Sequence, residues 1–373
     1  MKFLFSKTSS HISTDTVALD DFRNNNFDLV RLFAASQVLF FHGAFHLKYS
    51  LGDFWFLEAF KGVPIFFVVS GFLVSASFER SENVRGYFLN RSLRIFPALW
   101  VCLLATVGVI LWYGVSFRWC EFLPWLVAQS TFGQYYNPDF LRGFATGVMN
   151  GSLWTIPIEL QFYLFFPCIF LLLRKIFSRT PRNAEIVGAF VFFLCCALFV
   201  LWLRDVLPGR YSAAYALLHN SAMRYFYLFV LGWFLQRNIL SLRRVFFGKA
   251  IFWISFHYFF TWLFVVKVGL LYHPKLFHCF NVLSDCVLGC VAISCAYTFR
   301  GLAAKLTRGN DISYGVYIYH MPLVNIMIIN GLSGNPLSLP ILLVGTAICA
   351  LLSWFLVEKP CLAFKKRTLR ALG

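Results

Sequence analysis

The chain has 373 residues, of which 59% are hydrophobic and only 13% are charged. A soluble globular domain carries about 25% charged residues, so this composition excludes an ordinary soluble protein and predicts one that is embedded in a membrane. The net charge of +17 does not indicate nucleic-acid binding, because Lys and Arg lie in short clusters between apolar stretches and no nucleic-acid motif is present.

Apolar segments long enough to cross a bilayer recur along the whole chain. We predict an all-α, polytopic membrane protein with about ten transmembrane helices, near residues 29–48, 60–78, 95–115, 152–173, 184–203, 219–236, 250–271, 281–298, 312–331 and 339–357. The predicted organisation is a polar N-terminal segment of residues 1–28, a transmembrane domain of residues 29–357 and a basic tail of residues 358–373. The first 28 residues lack a signal-peptide cleavage site, so we expect the first helix to be retained.

The placement of positive charge orients these helices. With the N-terminus inside, the predicted inner segments hold 23 of the 33 Lys and Arg residues and the outer loops hold 5. Cytoplasmic loops are enriched in Lys and Arg, so both termini are predicted to be cytoplasmic. The longest outer loop, residues 116–151, contains an apolar stretch from Phe122 to Thr131 that is too short to span and is predicted to lie at the interface.

The cysteines carry little functional signal. Most of the eleven lie inside apolar segments, and no CxxC or metal-ligand spacing occurs, so we expect no bound metal. Cys120 and Cys279 both fall in predicted outer loops, which leaves a disulfide between them open.

Two ionisable residues share one face of the first helix. Arg31 and His42 are eleven positions apart, which returns to nearly the same face after a rise of about 16 Å. Ionisable groups inside a bilayer usually face a cavity or a partner. An anionic group held at Arg31 could therefore extend a thin arm toward His42; the alternatives are a snorkelling arginine and a packed histidine.

The fourth helix enters the membrane from the predicted outer side. Glu159 lies about 10 Å deep in the membrane on this helix, at a depth similar to that of His42. We predict a dyad in which the carboxylate orients the imidazole while His42 takes a proton from a hydroxyl. The alternative is a structural ion pair between Glu159 and Arg224 or Lys61.

Arg91 and Arg94 begin the third predicted helix three positions apart, and two guanidinium groups on one face suit a phosphate. Anchoring by the positive-inside rule is the alternative.

In the second helix, Ser70-Gly71 permits close helix approach, with substrate contact as a secondary role for Ser70.

Ser313, Tyr317 and His320 follow i, i+4, i+7 spacing at the cytoplasmic start of the ninth helix. They therefore share a face and are predicted to line the same cavity. The alternative, an aromatic belt at the membrane surface, explains the neighbouring Tyr314 better than it explains His320.

Taken together, these motifs resemble those of the acyltransferase-3 family of membrane O-acyltransferases. The resemblance rests on six elements in order, which are Arg31-x10-His42, Phe66-Phe-Val-Val-Ser-Gly-Phe-Leu73, Arg91-Ser-Leu-Arg94, Ser152-Leu-Trp-Thr-Ile-Pro-Ile-Glu159, Ser313-Tyr-Gly-Val-Tyr-Ile-Tyr-His320 and Glu358-Lys-Pro360. It implies about ten helices, an acyl-CoA donor reached from the cytoplasm, and acceptors that are often glycans across the membrane. It also implies that His42 is the essential catalytic histidine and that Arg31, Arg91 and Arg94 serve the donor, and more loosely that Glu159 and His320 belong to the site.

The resulting hypothesis is an O-acetyltransferase of the bacterial inner membrane. It would use acetyl-CoA as donor substrate, without a bound cofactor, and modify a hydroxyl of lipopolysaccharide O-antigen, exopolysaccharide or a lipid-linked sugar. Some family members carry a fused extracytoplasmic hydrolase-like domain that this chain lacks, which argues against a two-stage relay through such a domain unless a separate periplasmic partner supplies it. The alternatives are a secondary transporter of a small anionic solute, disfavoured by the absence of evident inverted repeats, and a lipid-binding scaffold.

Overall fold

A computed structural model describes residues 25–49, 52–81, 83–176, 182–206, 221–267 and 274–363. In these ranges the regular structure is helical and no β-strand is formed, which confirms the predicted all-α class. Most of the predicted N-terminal segment, residues 1–24, lies outside the described residues. The same is true of residues 364–373 of the predicted basic tail.

Eleven helices of twelve residues or more occur in the described part of the chain. They are α1 (Phe27–His46), α2 (Gly62–Glu79), α3 (Val84–Trp112), α4 (Trp119–Ser130), α5 (Thr155–Ile176), α6 (Arg182–Val206), α7 (Phe226–Asn238), α8 (Ala250–Trp262), α9 (Pro274–Ala296), α10 (Ser313–Ile329) and α11 (Ser338–Ser353). Two π-helical turns, Leu263–Lys267 and Trp354–Glu358, continue α8 and α11.

Each of the ten predicted apolar segments coincides with one of these helices, and α4 is the additional one, formed by the apolar stretch of the long predicted outer loop. Five helical stretches of the described chain are long and apolar enough to cross a membrane, namely Phe56–Glu79, Val84–Trp112, Gly151–Leu172, Leu276–Ala296 and Ser338–Ala363. The protein is therefore a multi-pass membrane protein. The total of ten spans and the cytoplasmic location of both termini stay predictions.

Helix α3 begins eleven residues before the segment predicted from hydropathy. The side chain of Asn83 accepts a hydrogen bond from the backbone N–H of Gly86 at 2.6 Å, which caps the helix at its first turn. The early turns are polar, so hydropathy alone does not detect them. Because of this extension, Arg91 and Arg94 lie within a rigid helix.

Helix α2 packs against α1, α3, α5, α7 and α9. Its contact with α7 brings the two backbones together: a Cβ added at Gly71 would lie 2.1 Å from the carbonyl oxygen of Phe229. A Cβ added at Gly232 would lie 2.1 Å from the carbonyl oxygen of Val68. This confirms the close helix approach predicted at Ser70-Gly71, since small residues let membrane helices pack backbone to backbone.

Helix α10 packs against α1, α3 and α11. Helix α1 therefore contacts both α2 and α10. The eleven cysteines are free thiols, with Cys120 and Cys279 both exposed, so the disulfide left open by the sequence is not formed in this structure.

Candidate active site

A pocket of about 240 Å³ lies between α1, α2, α3, α5 and α10. Its polar lining comprises Arg31, Ser70, Ser77, Asn90, Arg91, Arg94, Thr155, Glu159, Tyr163, Tyr314 and Tyr317. Thr155, Glu159 and Tyr163 follow one another at four-residue spacing along one face of α5, a rise of about 12 Å. Because Arg91 lies against Tyr163, the pocket has an arginine end, and its far end lies at Thr155 and Tyr317.

Two of the three predicted arginines share one carboxylate. Arg31 from α1 and Arg94 from α3 both donate to Oδ2 of Asp311, which is only 7% exposed. The backbone N–H of Ser313 donates to the other oxygen at 3.1 Å, and so does the Ser313 hydroxyl. Burial alone would raise the pKa of Asp311, but Arg31 and Arg94 outweigh it and lower this pKa to about 2.

Arg91 differs from the other two arginines because no carboxylate of the described chain pairs with it. Its guanidinium lies over the rings of Tyr163 and Tyr87, 5.4 and 5.9 Å from their centroids. Its Nε atom is buried without a hydrogen-bond partner, and so is Oδ1 of the adjacent Asn90. Buried polar atoms are normally satisfied, so two orphaned atoms beside one pocket mark a place for a polar ligand.

Glu159 lies on the pocket wall in a hydroxyl environment. One of its oxygens accepts hydrogen bonds from Ser70 at 3.1 Å and from the hydroxyl of Tyr163. Lys61, one of the two partners considered for a structural ion pair, instead lies 3.5 Å from Asp285. The hydroxyl of Ser70 therefore faces the pocket and holds Glu159, while the adjacent glycine serves helix packing.

His42 lies against His320 and not against Glu159, which corrects the predicted dyad. Nδ1 of His42 is 3.1 Å from Nε2 of His320, and the ring centroids are 5.3 Å apart. Equal depth in a membrane does not fix the lateral position of a side chain. His42 on α1 faces α10, whereas Glu159 on α5 faces α2.

The predicted cavity-lining group is separated in the structure. Ser70 and Tyr317 line the pocket, whereas Ser313 and His320 do not: Ser313 is fully buried against Asp311 and His320 is fully buried against His42. Ser313, Tyr317 and His320 do share a face of α10, but successive turns of that face contact different residues. The ring of Tyr317 lies 6.1 Å from that of His320, so this lining residue adjoins both the pocket and the histidine pair.

Comparison with known proteins identifies the chain. A family model described as an acyltransferase domain matches residues 24–357. The chain belongs to this acyltransferase family. It is similar to Nodulation protein 10 of Rhizobium leguminosarum bv. viciae, with 32% identity over 92% of this chain and 94% of that protein.

Other relatives of this acyltransferase are named as O-acetyltransferases. An O-acetyl transferase of Shigella phage Sf6 is 32% identical over 38% of this chain and 44% of its own length. The putative peptidoglycan O-acetyltransferase YrhL of Bacillus subtilis is 24% identical over 89% of this chain and 54% of its own length. No solved structure matches the chain. The protein is therefore an acyltransferase enzyme of a membrane O-acetyltransferase family.

Two residues of this acyltransferase site were missed by sequence reasoning. Asp311 directly precedes the Ser313 motif, and an acidic residue at the basic end of a membrane helix is the signal that could have identified it. Tyr163 follows Glu159 by one helical turn, which is the spacing of side chains that meet on a helix. Within the described ranges, no group of three or more His, Cys, Asp and Glu residues is placed to hold a metal ion.

Proposed function

We propose that this acyltransferase moves an acetyl group from cytoplasmic acetyl-CoA to a hydroxyl of a surface glycan. The observation that carries the proposal is a pocket with arginines at one end and hydroxyl and carboxylate groups toward the other, where the lining residue Tyr317 adjoins the His42–His320 pair. A pantetheine thioester has the same layout, with phosphates at one end and the reactive carbonyl at the other.

In this proposal the donor enters at the arginine end. Arg91 and Asn90 carry buried atoms without partners, so a phosphate and its neighbouring polar groups would satisfy them. Arg31 and Arg94, already fixed by Asp311, add positive charge around the same anion. The thin pantetheine arm then follows the face of α5 that presents Tyr163 and Glu159 to the pocket.

The reaction proposed at the far end is a direct acyl transfer. The acceptor hydroxyl attacks the thioester carbonyl, a C–O bond forms, the C–S bond breaks and His42 takes the hydroxyl proton. That proton then neutralises the departing CoA thiolate. In the main variant, Nε2 of His42 first attacks the thioester carbonyl, the C–S bond breaks and the CoA thiolate leaves. The acceptor hydroxyl then attacks the acyl-histidine, its C–N bond breaks, and the hydroxyl proton ends on the thiolate. In both schemes Glu159 is part of the pocket wall and is not the hydrogen-bond partner of His42.

For the acceptor, the relatives named as O-acetyltransferases, of which YrhL is named for peptidoglycan, support a glycan. We propose lipopolysaccharide O-antigen, exopolysaccharide or a lipid-linked sugar, reached from the far side of a bacterial inner membrane. The proposal includes ten spans with both termini cytoplasmic, which agrees with the uneven distribution of Lys and Arg. A separate periplasmic partner would be needed only if the acetyl group is relayed before it reaches the glycan.

The first test follows label from radiolabelled acetyl-CoA into the glycan fraction of expressing membranes. The parent should transfer label, and His42→Ala should lose transfer by at least 100-fold at an equal membrane level. His278→Ala is the matched control, because His278 lies outside the pocket lining and should leave transfer unchanged. A fully active His42→Ala would refute the assigned base. Absence of labelling by the parent with any acyl-CoA and native acceptor, together with solute uptake into vesicles, would favour a transporter.

The same assay tests the donor end. Arg91→Gln should raise the KM for acetyl-CoA by about 10- to 100-fold with little change in kcat, because a charge-assisted contact is worth about 1.5–3 kcal/mol. Arg85→Gln is the matched control, since Arg85 is exposed on the same helix and does not line the pocket. Equal KM values for the two variants would contradict the placement of the donor.

A further inference from the structure

Three groups form a continuous hydrogen-bonded chain at the contact between α1 and α10. Nδ1 of His42 meets Nε2 of His320 at 3.1 Å, and Nδ1 of His320 meets the carbonyl oxygen of Val316 at 3.3 Å. His320 is fully buried, while His42 is partly exposed. Within the described residues, no carboxylate contacts either ring, and the nearest further imidazole is His46, whose ring lies 6.2 Å from that of His42.

The end of this chain fixes the position of every proton in it. A carbonyl oxygen can only accept, so Nδ1 of His320 must carry hydrogen toward Val316. A neutral imidazole has one N–H group, and without a neighbouring carboxylate a fully buried ring is disfavoured as a cation. Nε2 of His320 is therefore an acceptor. His42 must donate to it from Nδ1, which leaves Nε2 of His42 with a free lone pair.

We propose that His320 is the positioning residue of the site, holding His42 in the tautomer whose Nε2 atom accepts the proton of the attacking hydroxyl. The assignment rests on the proposed function for the identity of the reaction. It gives His320 the role that the sequence suggested for Glu159. The acyl-histidine variant uses the same Nε2 atom, so the assignment holds for both schemes.

A neutral partner has a chemical consequence that a carboxylate would not have. A carboxylate stabilises the imidazolium that forms when the base takes a proton, whereas neutral His320 offers only a hydrogen bond. The charged form of His42 is therefore costly, and the proton must pass promptly to the thiolate of CoA. The ring of Tyr317, 6.1 Å from that of His320, places the histidine pair beside the pocket in which the thioester would lie.

The test replaces His320 by a residue that keeps only the acceptor. In His320→Gln, the side-chain oxygen can accept from Nδ1 of His42 but cannot titrate. His320→Leu fills similar space with no acceptor. We expect the Leu variant to lose about 100-fold in kcat with a nearly unchanged KM for acetyl-CoA, and the Gln variant to recover at least tenfold of that loss. Equal kcat values for the two variants would overturn the proposal, as would a fully active Leu variant.

A second readout does not depend on catalysis. In ¹⁵N-histidine-labelled protein in lipid nanodiscs, the signal removed by His42→Ala should report an unprotonated Nε2 and a protonated Nδ1. In His320→Leu the same signal should move toward the reverse tautomer, and in His320→Gln it should stay. A parent signal with Nε2 protonated refutes the role of His320 even if acetyl transfer is confirmed. If the expected signal appears in a protein that transfers no acetyl group, the tautomer assignment holds and the proposed reaction is wrong.

Discussion

At the arginine end of the pocket, two of the three guanidinium groups share one carboxylate and the third does not. Asp311 binds Arg31 and Arg94, and Arg94 also lies 3.9 Å from Glu358. Arg91 has aromatic faces for neighbours and no acid within the described chain. The positive charge available to a ligand is therefore concentrated at Arg91, while the other two arginines are held in fixed positions.

Removing this shared carboxylate should destabilise the protein and weaken donor binding together. Asp311→Asn leaves two partly buried guanidinium groups without their common partner, and breaking a buried pair typically costs about 3–5 kcal/mol. We expect a lower thermal unfolding midpoint in nanodiscs and a higher KM for acetyl-CoA. Asp139→Asn is the control, because the Asp139 side chain is 82% exposed in a surface pair with Arg142. A higher affinity for acetyl-CoA in Asp311→Asn would show that Asp311 competes with the donor.

The pH dependence of the same variant has a defined sign. The folded-state pKa of Asp311, about 2, lies below its ordinary value of 3.8. Its contribution to stability is therefore complete above pH 3.8 and is lost as the pH falls toward 2, by about 2 kcal/mol. The difference in midpoint between the parent and Asp311→Asn should be constant from pH 8 to 5 and should shrink below pH 4. A difference that changes between pH 8 and 6 would point to another group.

At the scale of helices, α2 and α7 are held at a distance that only glycine permits. The nearest neighbour of a Cβ at Gly71 is a backbone carbonyl, which cannot rotate away as a side chain could. Gly232 has the same relation to α2 from the opposite side. Since α2 also carries Ser70, a shift of this helix would move a pocket residue as well as the packing.

Gly71→Ala should therefore reduce both folding and activity. The required displacement resembles overpacking of a core, which costs about 1–3 kcal/mol or more. Gly108→Ala on α3 is the matched control, because a Cβ there meets nothing within 4 Å and alanine favours a helix by up to about 1 kcal/mol. Thermal midpoints of both variants in nanodiscs check the prediction. Equal stability of the two would mean that α2 and α7 can separate without cost.

The helices show which parts of the fold can be predicted from the sequence. Ten apolar segments predicted the positions of ten helices because burial in lipid demands an uninterrupted apolar run. The polar start of α3 and the short helix α4 lie beyond that signal, since one is capped by Asn83 and the other packs against α3. Arg31, Arg91 and Arg94 line one pocket, as their predicted position at one end of the helices suggested. The contact of His42 with His320 depends on the rotation of α1 relative to α10, which no single-chain spacing specifies.

Across the whole molecule, the arginine end of the pocket lies on the same predicted side of the membrane as the segments rich in Lys and Arg. The arginine end lies near the ends of helices that the distribution of Lys and Arg assigns to the cytoplasm. Helix α4 and the rest of residues 116–151 lie at the opposite predicted side. Donor and acceptor would then approach the histidine pair from opposite sides of the bilayer.

Two native thiols can test that orientation. Cys120 is exposed in α4, and Cys361 is partly exposed just beyond α11, at the predicted cytoplasmic side. In variants that retain only one of these cysteines, a membrane-impermeant maleimide should label Cys120 in cells with an intact inner membrane. It should label Cys361 only after the membrane is permeabilised. Labelling of Cys361 before permeabilisation would place the C-terminal tail outside the cytoplasm.

The hydrogen bonds at the far end of the pocket also bear on how a membrane enzyme of this kind avoids leaking ions. The Tyr317 hydroxyl lies 2.7 Å from that of Thr155 and donates to the carbonyl of Ser152 at 2.6 Å. These bonds join α10 to the start of α5 across the end of the cavity. An acyl group that leaves the pocket in this direction would have to pass these hydrogen bonds, so acetylation could proceed while the electrochemical gradient of the cell stays intact.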